Sequence, residues 1–268
     1  MEIYKTDQKI EAPDMIGTKI SIQYPAVAEI KIDGEFNLLF VNKEREGEVH
    51  TFLVNKGGKI RTECGITAEA KTLPTSMVLV GELYYEDGKQ GALYKLLSHQ
   101  EDNGLKFMVH DIIEYEDTIM NTESLLDRKE LLLTIFKDSS PHIAVSKINM
   151  VESSEELDEF YDTVIKEGYE GIVVKGIDSR YIGRRCNWVK IKAKDIGEYK
   201  ITAIDPTEEK IIIQAGIKVG VKCINSVKCQ LKVGDKVLIE SLGSLESGSL
   251  RNPVLKGKIT GDSTQMFL

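Results

Sequence analysis

The sequence lacks any apolar run near the roughly 18–20 residues that a membrane-crossing helix needs, so no membrane partner is expected. Its opening residues, MEIYKTDQKIEAPD, contain no apolar core of the secretory kind, and no signal peptide is expected. Cysteine is scarce. Cys64, Cys186, Cys223 and Cys229 stand in no C-x-x-C spacing, which argues against both a zinc site and a disulfide framework. A reduced, cytoplasmic setting is the expectation. Positive charge is in deficit, with 35 Lys+Arg against 43 Asp+Glu and a formal net charge of -8. Taken as a total, that argues against nucleic acid as a partner. What is present is ample: 41% hydrophobic and 29% charged residues over 268 positions describe a globular chain of one large or two modest domains.

Between Val27 and Val54, the runs AVAEIKI, FNLLFV and VHTFLV are broken by Asp33-Gly34 and by KEREGE, which predicts antiparallel strands and hairpins. Met77–Leu83 and Leu105–Ile113 are further strand candidates. A helix is predicted near Thr122–Phe136, with Leu125, Leu126, Leu132, Leu133 and Phe136 at near-helical spacing. A second is predicted to begin at Ser153, with Glu156 completing a capping box and Leu157, Phe160, Tyr161, Val164 and Ile165 on one face. Gly168 is its predicted stop. Beyond Asp195 the segments YKITAI, KIIIQA, VGVKC, CQLKV and KVLIES have no helical period. They predict a small all-β module, with the boundary near Lys194.

The sharpest local signal is Glu29-Ile-Lys31-Ile-Asp33-Gly34. A lysine on a strand just before an Asp-Gly turn presents an amine at a sheet edge, with Ile30 and Ile32 as anchors. Partial desolvation and nearby cations free such an amine as a nucleophile. A hairpin carrying a solvated lysine is the plain alternative. Further along stand Val80-Gly-Glu82-Leu83, Phe107-Met-Val-His110-Asp111, Glu170-Gly-Ile-Val173-Val-Lys175 and Trp188-Val-Lys190-Ile-Lys192. Strand alternation puts Lys190 and Lys192 on one face, suited to phosphate oxygens. Glu82 and Glu170 are suited to a ribose or a hydrated Mg²⁺.

In this order the motifs resemble those of the covalent nucleotidyltransferases, most closely the small ATP-dependent DNA ligases of phages, viruses and bacteria. The resemblance covers nearly the whole chain. It implies an α+β fold: a nucleotidyltransferase domain at residues 1–194, with antiparallel sheets flanked by helices, then an all-β OB-fold domain at 195–268. It implies Lys31 as the residue that becomes AMP-linked, with Asp33, Lys190 and Lys192 as catalytic partners. Glu29, Ile30, Glu82, His110, Val173 and Lys175 are implied around the nucleotide. There Glu29 would read the adenine amino group, Glu82 the ribose, and His110 would stack on the base. Glu170 and Glu82 are implied as ligands of Mg²⁺, with Mn²⁺ as an alternative. Asn55-Lys56-Gly-Gly resembles the family's serine-arginine-asparagine-glycine stretch, which would put Lys56 against DNA phosphate. The implied reaction seals 5′-phosphate/3′-hydroxyl nicks in double-stranded DNA with ATP, in repair or replication, by a monomer.

Three positions depart from the family pattern, the first being His110, where the ring that stacks on adenine is usually phenylalanine. Phe36 stands where an arginine is usual, so the last step needs another cation. Leu250-Arg251-Asn-Pro253 resembles the lead-in to the closing motif, but the arginine that should follow is absent, leaving Lys256 or Lys258 for the β- and γ-phosphates. Charge distribution corrects the overall count. From Lys175 to Lys194, seven basic residues, including Arg180, Arg184 and Arg185, face the single acid Asp178. With Lys56 and Arg251, these arginines are the expected DNA contacts, matched to a duplex at one face. The competing readings are an RNA ligase or mRNA-capping guanylyltransferase, and a non-catalytic nick-binding protein.

Overall fold

The computed structural model describes residues 2–5, 22–44, 47–85, 93, 97–100, 102, 104–137, 140–182, 186, 188–244, 248–261 and 263–267. The chain divides into two compact units, Met1–Ile191 and Lys192–Leu268, three residues before the change in sequence texture. In the first, β1 (Glu2–Lys5), β2 (Ala26–Ile30), β3 (Glu35–Lys43), β4 (Val49–Asn55) and β5 (Lys59–Thr62) precede α1 (Gly65–Ala70). There follow β6 (Met77–Tyr85), β7 (Leu105–Tyr115), β8 (Thr118–Ile119), α2 (Leu125–Ile135), β9 (Ile143–Val145) and β10 (Asn149–Val151). Last come α3 (Ser154–Lys166), β11 (Gly171–Gly176) and β12 (Val189–Lys192).

One sheet runs β1-β5-β4-β3-β6-β7-β8, with β9 parallel to β7; the other runs β10-β2-β11-β12. Strand parity distributes the core. On β3, Leu39 and Val41 join Leu53, Leu79 and Phe107 against Ile66 of α1 and Leu132 of α2. Leu38 joins Val78, Val80, Val173 and Trp188 on the opposite face. On β11, Ile172 and Val174 pack on Leu157 and Val164 of α3, while Val173 points the other way, toward the first sheet's cluster. β2 is antiparallel to β11 with Glu29 opposite Val173, and its Ala26 and Ala28 turn to the α3 side. Parity therefore puts Glu29 between the two sheets.

The predicted strands of this unit are all present, with one correction: β2 ends at Ile30, so Lys31 lies just past the strand. Its backbone N–H is still tied to the Gly171 carbonyl at 2.8 Å. Helix α3 starts as expected, the Ser153 side chain accepting from the Glu156 N–H at 3.3 Å. The reciprocal half of the box is shifted, because the Glu156 carboxylate accepts from Glu152 N–H at 2.9 Å. Gly168, at φ +88°, closes the helix. Its N–H donates to Ile165 and that of Tyr169 to Val164, a Schellman ending that spares a side chain the left-handed backbone. Helix α2 is rotated from expectation. Its buried face is Leu125, Arg128, Lys129 and Leu132, while Leu133 is 54% exposed.

The second unit begins at Lys192. It contains β13 (Asp195–Ile204), β14 (Lys210–Ala215), β15 (Ile217–Lys222), the short α4 (Asn225–Lys228), β16 (Lys236–Ser241), β17 (Val254–Thr260) and β18 (Ser263–Met266). The sheet order is β15-β14-β13-β16-β17-β18, and a parallel pairing of β15 with β17 closes five strands on themselves. Ile201, Ile211, Ile213, Val221, Val237 and Ile239 fill the interior. The CQLKV segment is not a strand. It leaves α4 through turns, and Lys228 Nζ at the end of α4 donates to the Asp205 and Glu208 carbonyls, both at 2.9 Å.

Candidate active site

A cavity of about 290 Å³ opens between the two sheets of the first unit. Its wall includes Glu29, Ile30, Lys31, Phe36, Lys56, Glu82, His110, Val173, Lys175 and Lys190 from the sequence reading. Ile32, Met108, Ser146 and Trp188 also line it. These positions span more than half the chain and meet because β2, β3, β6, β7 and β11 turn alternate residues to one space.

At one end, Lys31 Nζ donates to Glu170 Oε2 at 2.6 Å. Gly34 makes the turn behind it tight: an added Cβ would stand 2.5 Å from the Leu83 carbonyl oxygen. Glu82, on the facing strand, feels Lys31, Glu170, Glu35 and Asp33. Burial pushes its carboxyl up to about 8; Lys31 opposes this and the neighbouring carboxylates add to it. A carboxylate group so placed fits a hard divalent cation, which would relieve the crowded negative charge. Among the described residues, the one group of three metal-capable side chains with ligand atoms within 4.8 Å is the exposed Glu44, Glu48 and His50.

The middle of the cavity is aromatic. His110 is T-shaped to Trp188 with ring centroids 6.0 Å apart, and tilted to Phe36 at 6.5 Å. Burial, with Lys175 adding, keeps His110 well below the usual imidazole range, so it is a neutral ring at physiological pH. Phe36, standing where the family pattern has an arginine, is therefore a wall of this slot. Trp188, the only tryptophan, carries Lys175 Nζ 4.1 Å from its ring centroid.

The floor is ionic. The buried Glu29 carboxylate is paired with Lys129 on one oxygen and Lys175 on the other, and it accepts from Ser146 Oγ at 2.7 Å. Burial pushes this carboxyl up, but Lys129 and Lys175 outweigh it and hold it near 2. Lys129 and Ser146 escaped the sequence reading. The available signal was two consecutive charges, Arg128-Lys129, falling on the i+3 and i+4 positions of a helical stripe that begins at Leu125.

The hairpin beside the cavity is fixed from Glu35. Arg61 pairs with it at 2.7 Å, and Asn55 Nδ2 donates to its other oxygen at 3.1 Å. Asn55 Oδ1 in turn accepts from Gly57 and Lys59 N–H, shaping the turn that presents Lys56. The remaining expected residues are placed elsewhere. Arg180 is exposed on the segment after β11, and Arg184 and Arg185 lie outside the described residues. Arg251 belongs to the second unit, where Lys256 is 3.7 Å from Glu240 and Lys258 2.7 Å from Asp235. No described helix is long and apolar enough to cross a membrane.

A DNA ligase of Saccharolobus islandicus is 27% identical over 195 residues, covering 72% of this chain but 28% of its own length. The chain thus spans little more than a quarter of that relative. Among solved structures, a Lig E DNA ligase described as binding DNA with a minimal scaffold superposes with a TM-score of 0.71 at 17% identity. That match covers 95% of this chain and all of the other. The ligase domain of LigD from M. tuberculosis gives 0.54 at 18% identity, covering 94% and 96%. At these identities, the two structures establish the shared fold. The family model described as ATP dependent DNA ligase domain matches residues 13–192, the stretch that carries every wall of the cavity. The chain belongs to the ATP-dependent DNA ligase domain family.

Proposed function

We propose that the chain is an ATP-dependent DNA ligase that seals 5′-phosphate/3′-hydroxyl nicks through a lysyl-AMP intermediate. The observation that carries this reading is Lys31 Nζ at the mouth of an aromatic slot, 2.6 Å from Glu170 Oε2, with the ionised Glu29 on the floor. The slot takes the purine between Val173, Met108 and the Phe36–His110–Trp188 side. Glu29 accepts from the exocyclic amino group, and Glu82 faces the ribose.

In the first step Lys31 Nζ attacks the α-phosphorus. The N–P bond forms, the bond to the bridging oxygen breaks, and pyrophosphate leaves. The Nζ proton passes to Glu170, the nearest acceptor. Lys190 at the cavity wall, with Lys192 two residues on, neutralises charge on the phosphoryl oxygens. The AMP then moves from Lys31 to the 5′-phosphate of the nick, and the adjacent 3′-hydroxyl displaces it, with Asp33 placed to orient that hydroxyl. Glu82 and Glu170 would hold Mg²⁺ or Mn²⁺, which supplies charge neutralisation at the reacting phosphate. Lys56, Arg180, Arg184 and Arg185 supply phosphate contacts to the duplex, and Arg251 does so from the second unit. The closed five-strand order of that unit supports an OB-fold, a common nucleic-acid platform. Domains of 1–194 and 195–268, acting as a monomer, complete the reading.

The test incubates the protein with Mg²⁺ and α-labelled ATP or GTP, then with nicked DNA. The expected result is an AMP adduct lost in Lys31→Ala, followed by strand joining. Labelling that survives Lys31→Ala overturns the assignment of the nucleophile. A GMP adduct would indicate a capping activity, and joining of RNA alone an RNA ligase.

A further inference from the structure

Glu29 carries one more cation than it needs. A buried carboxylate is neutralised by one lysine, and a second adds a desolvated charge that must be held by further contacts. Here Lys175 pairs with Oε2 and Lys129 with Oε1, and Ser146 Oγ donates to Oε1 at 2.7 Å. Lys129 Nζ also donates to Ser146 Oγ at 2.9 Å, closing a three-membered ring of contacts on one oxygen. Lys129 is 100 residues from Glu29 in sequence and is 1% exposed. Glu29, Lys175 and Ser146 line the cavity, while Lys129 approaches from α2 behind them.

A carboxylate oxygen offers about two lone-pair sites. Lys129 and Ser146 fill both on Oε1, whereas Lys175 takes one on Oε2. One site on Oε2 remains. We infer that Lys129 and Ser146 are positioning residues for base selection: they hold Glu29 so that its free Oε2 site meets the 6-amino group of an aminopurine and repels a 6-oxo group. The inference rests on the ligase reading above and deepens it. A purely structural role accounts poorly for the arrangement, since removing Lys129 leaves Glu29 and Lys175 as a neutral pair.

The test compares ATP with purine riboside triphosphate, which lacks the 6-amino group, and with GTP. Self-nucleotidylylation is measured for the wild type, Lys129→Met, Lys129→Arg and Ser146→Ala. Equilibrium binding of the same nucleotides is measured by calorimetry in a Lys31→Ala background, where no adduct can form. The expected result is a loss of about tenfold in the preference for ATP over the deamino analogue in Lys129→Met, carried by KM and by affinity rather than kcat. Lys129→Arg should recover part of it, and Ser146→Ala should lose about threefold. A preference within twofold of wild type in both Lys129→Met and Ser146→Ala overturns the inference. Should Lys129→Met not fold, Ser146→Ala decides alone, since it deletes a single hydroxyl. A wild type that forms no adduct with ATP removes the ligase reading itself, an outcome distinct from an adduct whose base preference the variants leave unmoved.

Discussion

Replacing Arg128 with methionine tests how the first unit is held together. Its guanidinium meets Asp111 through Nε at 2.7 Å and Nη2 at 2.9 Å, and both side chains are 0% exposed. Nη1 also donates to the Glu123 carbonyl and, at 3.0 Å, to the Ser179 carbonyl. Arg128→Met keeps most of the volume but leaves Asp111 and two carbonyls without these donors. Breaking a buried pair in this way costs about 3–5 kcal/mol. At about 2–4 °C per kcal/mol for a unit of this size, the melting temperature should fall by about 6–20 °C. The assay is urea and thermal unfolding of the full chain by tryptophan fluorescence. Trp188 is the only tryptophan and belongs to the first unit, so the signal reports that unit alone. A double variant, Arg128→Met with Asp111→Leu, removes both charges and should recover most of the loss. A single variant that loses less than about 1 kcal/mol would refute the reasoning, as would a double variant no more stable than the sum of its parts.

Other outcomes are equally definite. Glu82 titrates near 8 in the fold against 4.5 as a free carboxyl, so the folded chain keeps a proton that the unfolded chain releases. Its contribution is fully present below about 4.5 and is lost as pH rises through 8. Glu82→Gln should therefore flatten the decline in unfolding free energy over that window, and an unchanged slope contradicts the assignment. Gly34→Ala would put a Cβ 2.5 Å from the Leu83 carbonyl oxygen. Shifting the Lys31 turn by that clash should slow self-adenylylation about 100-fold, read by label incorporation. Ser153→Ala deletes the α3 cap and should cost about 1 kcal/mol in urea unfolding, with labelling activity retained.

Much of the site was legible because its chemistry is local. Lys31, Asp33 and Gly34 are neighbours, and the resemblance of EGIVVK to a family motif brought in Glu170, Val173 and Lys175 as candidates. The FNLLFV run was legible as a strand too, since both faces of β3 are apolar over a short run bounded by turn residues. Helix α2 is the instructive failure. Near-helical spacing of five apolar residues fitted one stripe, whereas burial selects Leu125, Arg128, Lys129 and Leu132, two charges among them. A periodicity rule scores leucines, but a buried arginine or lysine is acceptable only when its counter-charge is delivered from elsewhere in the chain. Here the partners are Asp111 and Glu29, set by strands that a sequence window cannot see.

The sequence by itself therefore pointed to the family, to Lys31 as the candidate nucleophile, to most cavity residues and to the β-rich character of the second unit. Tertiary structure decided which of those residues touch. It paired Lys31 with Glu170 across 139 positions, made Phe36 a wall of the slot, and buried Lys129 beneath Glu29. The physical reason is one of range. Turn chemistry and strand parity act over a few residues, whereas desolvating a charge is tolerable only where the fold brings an opposite charge to meet it.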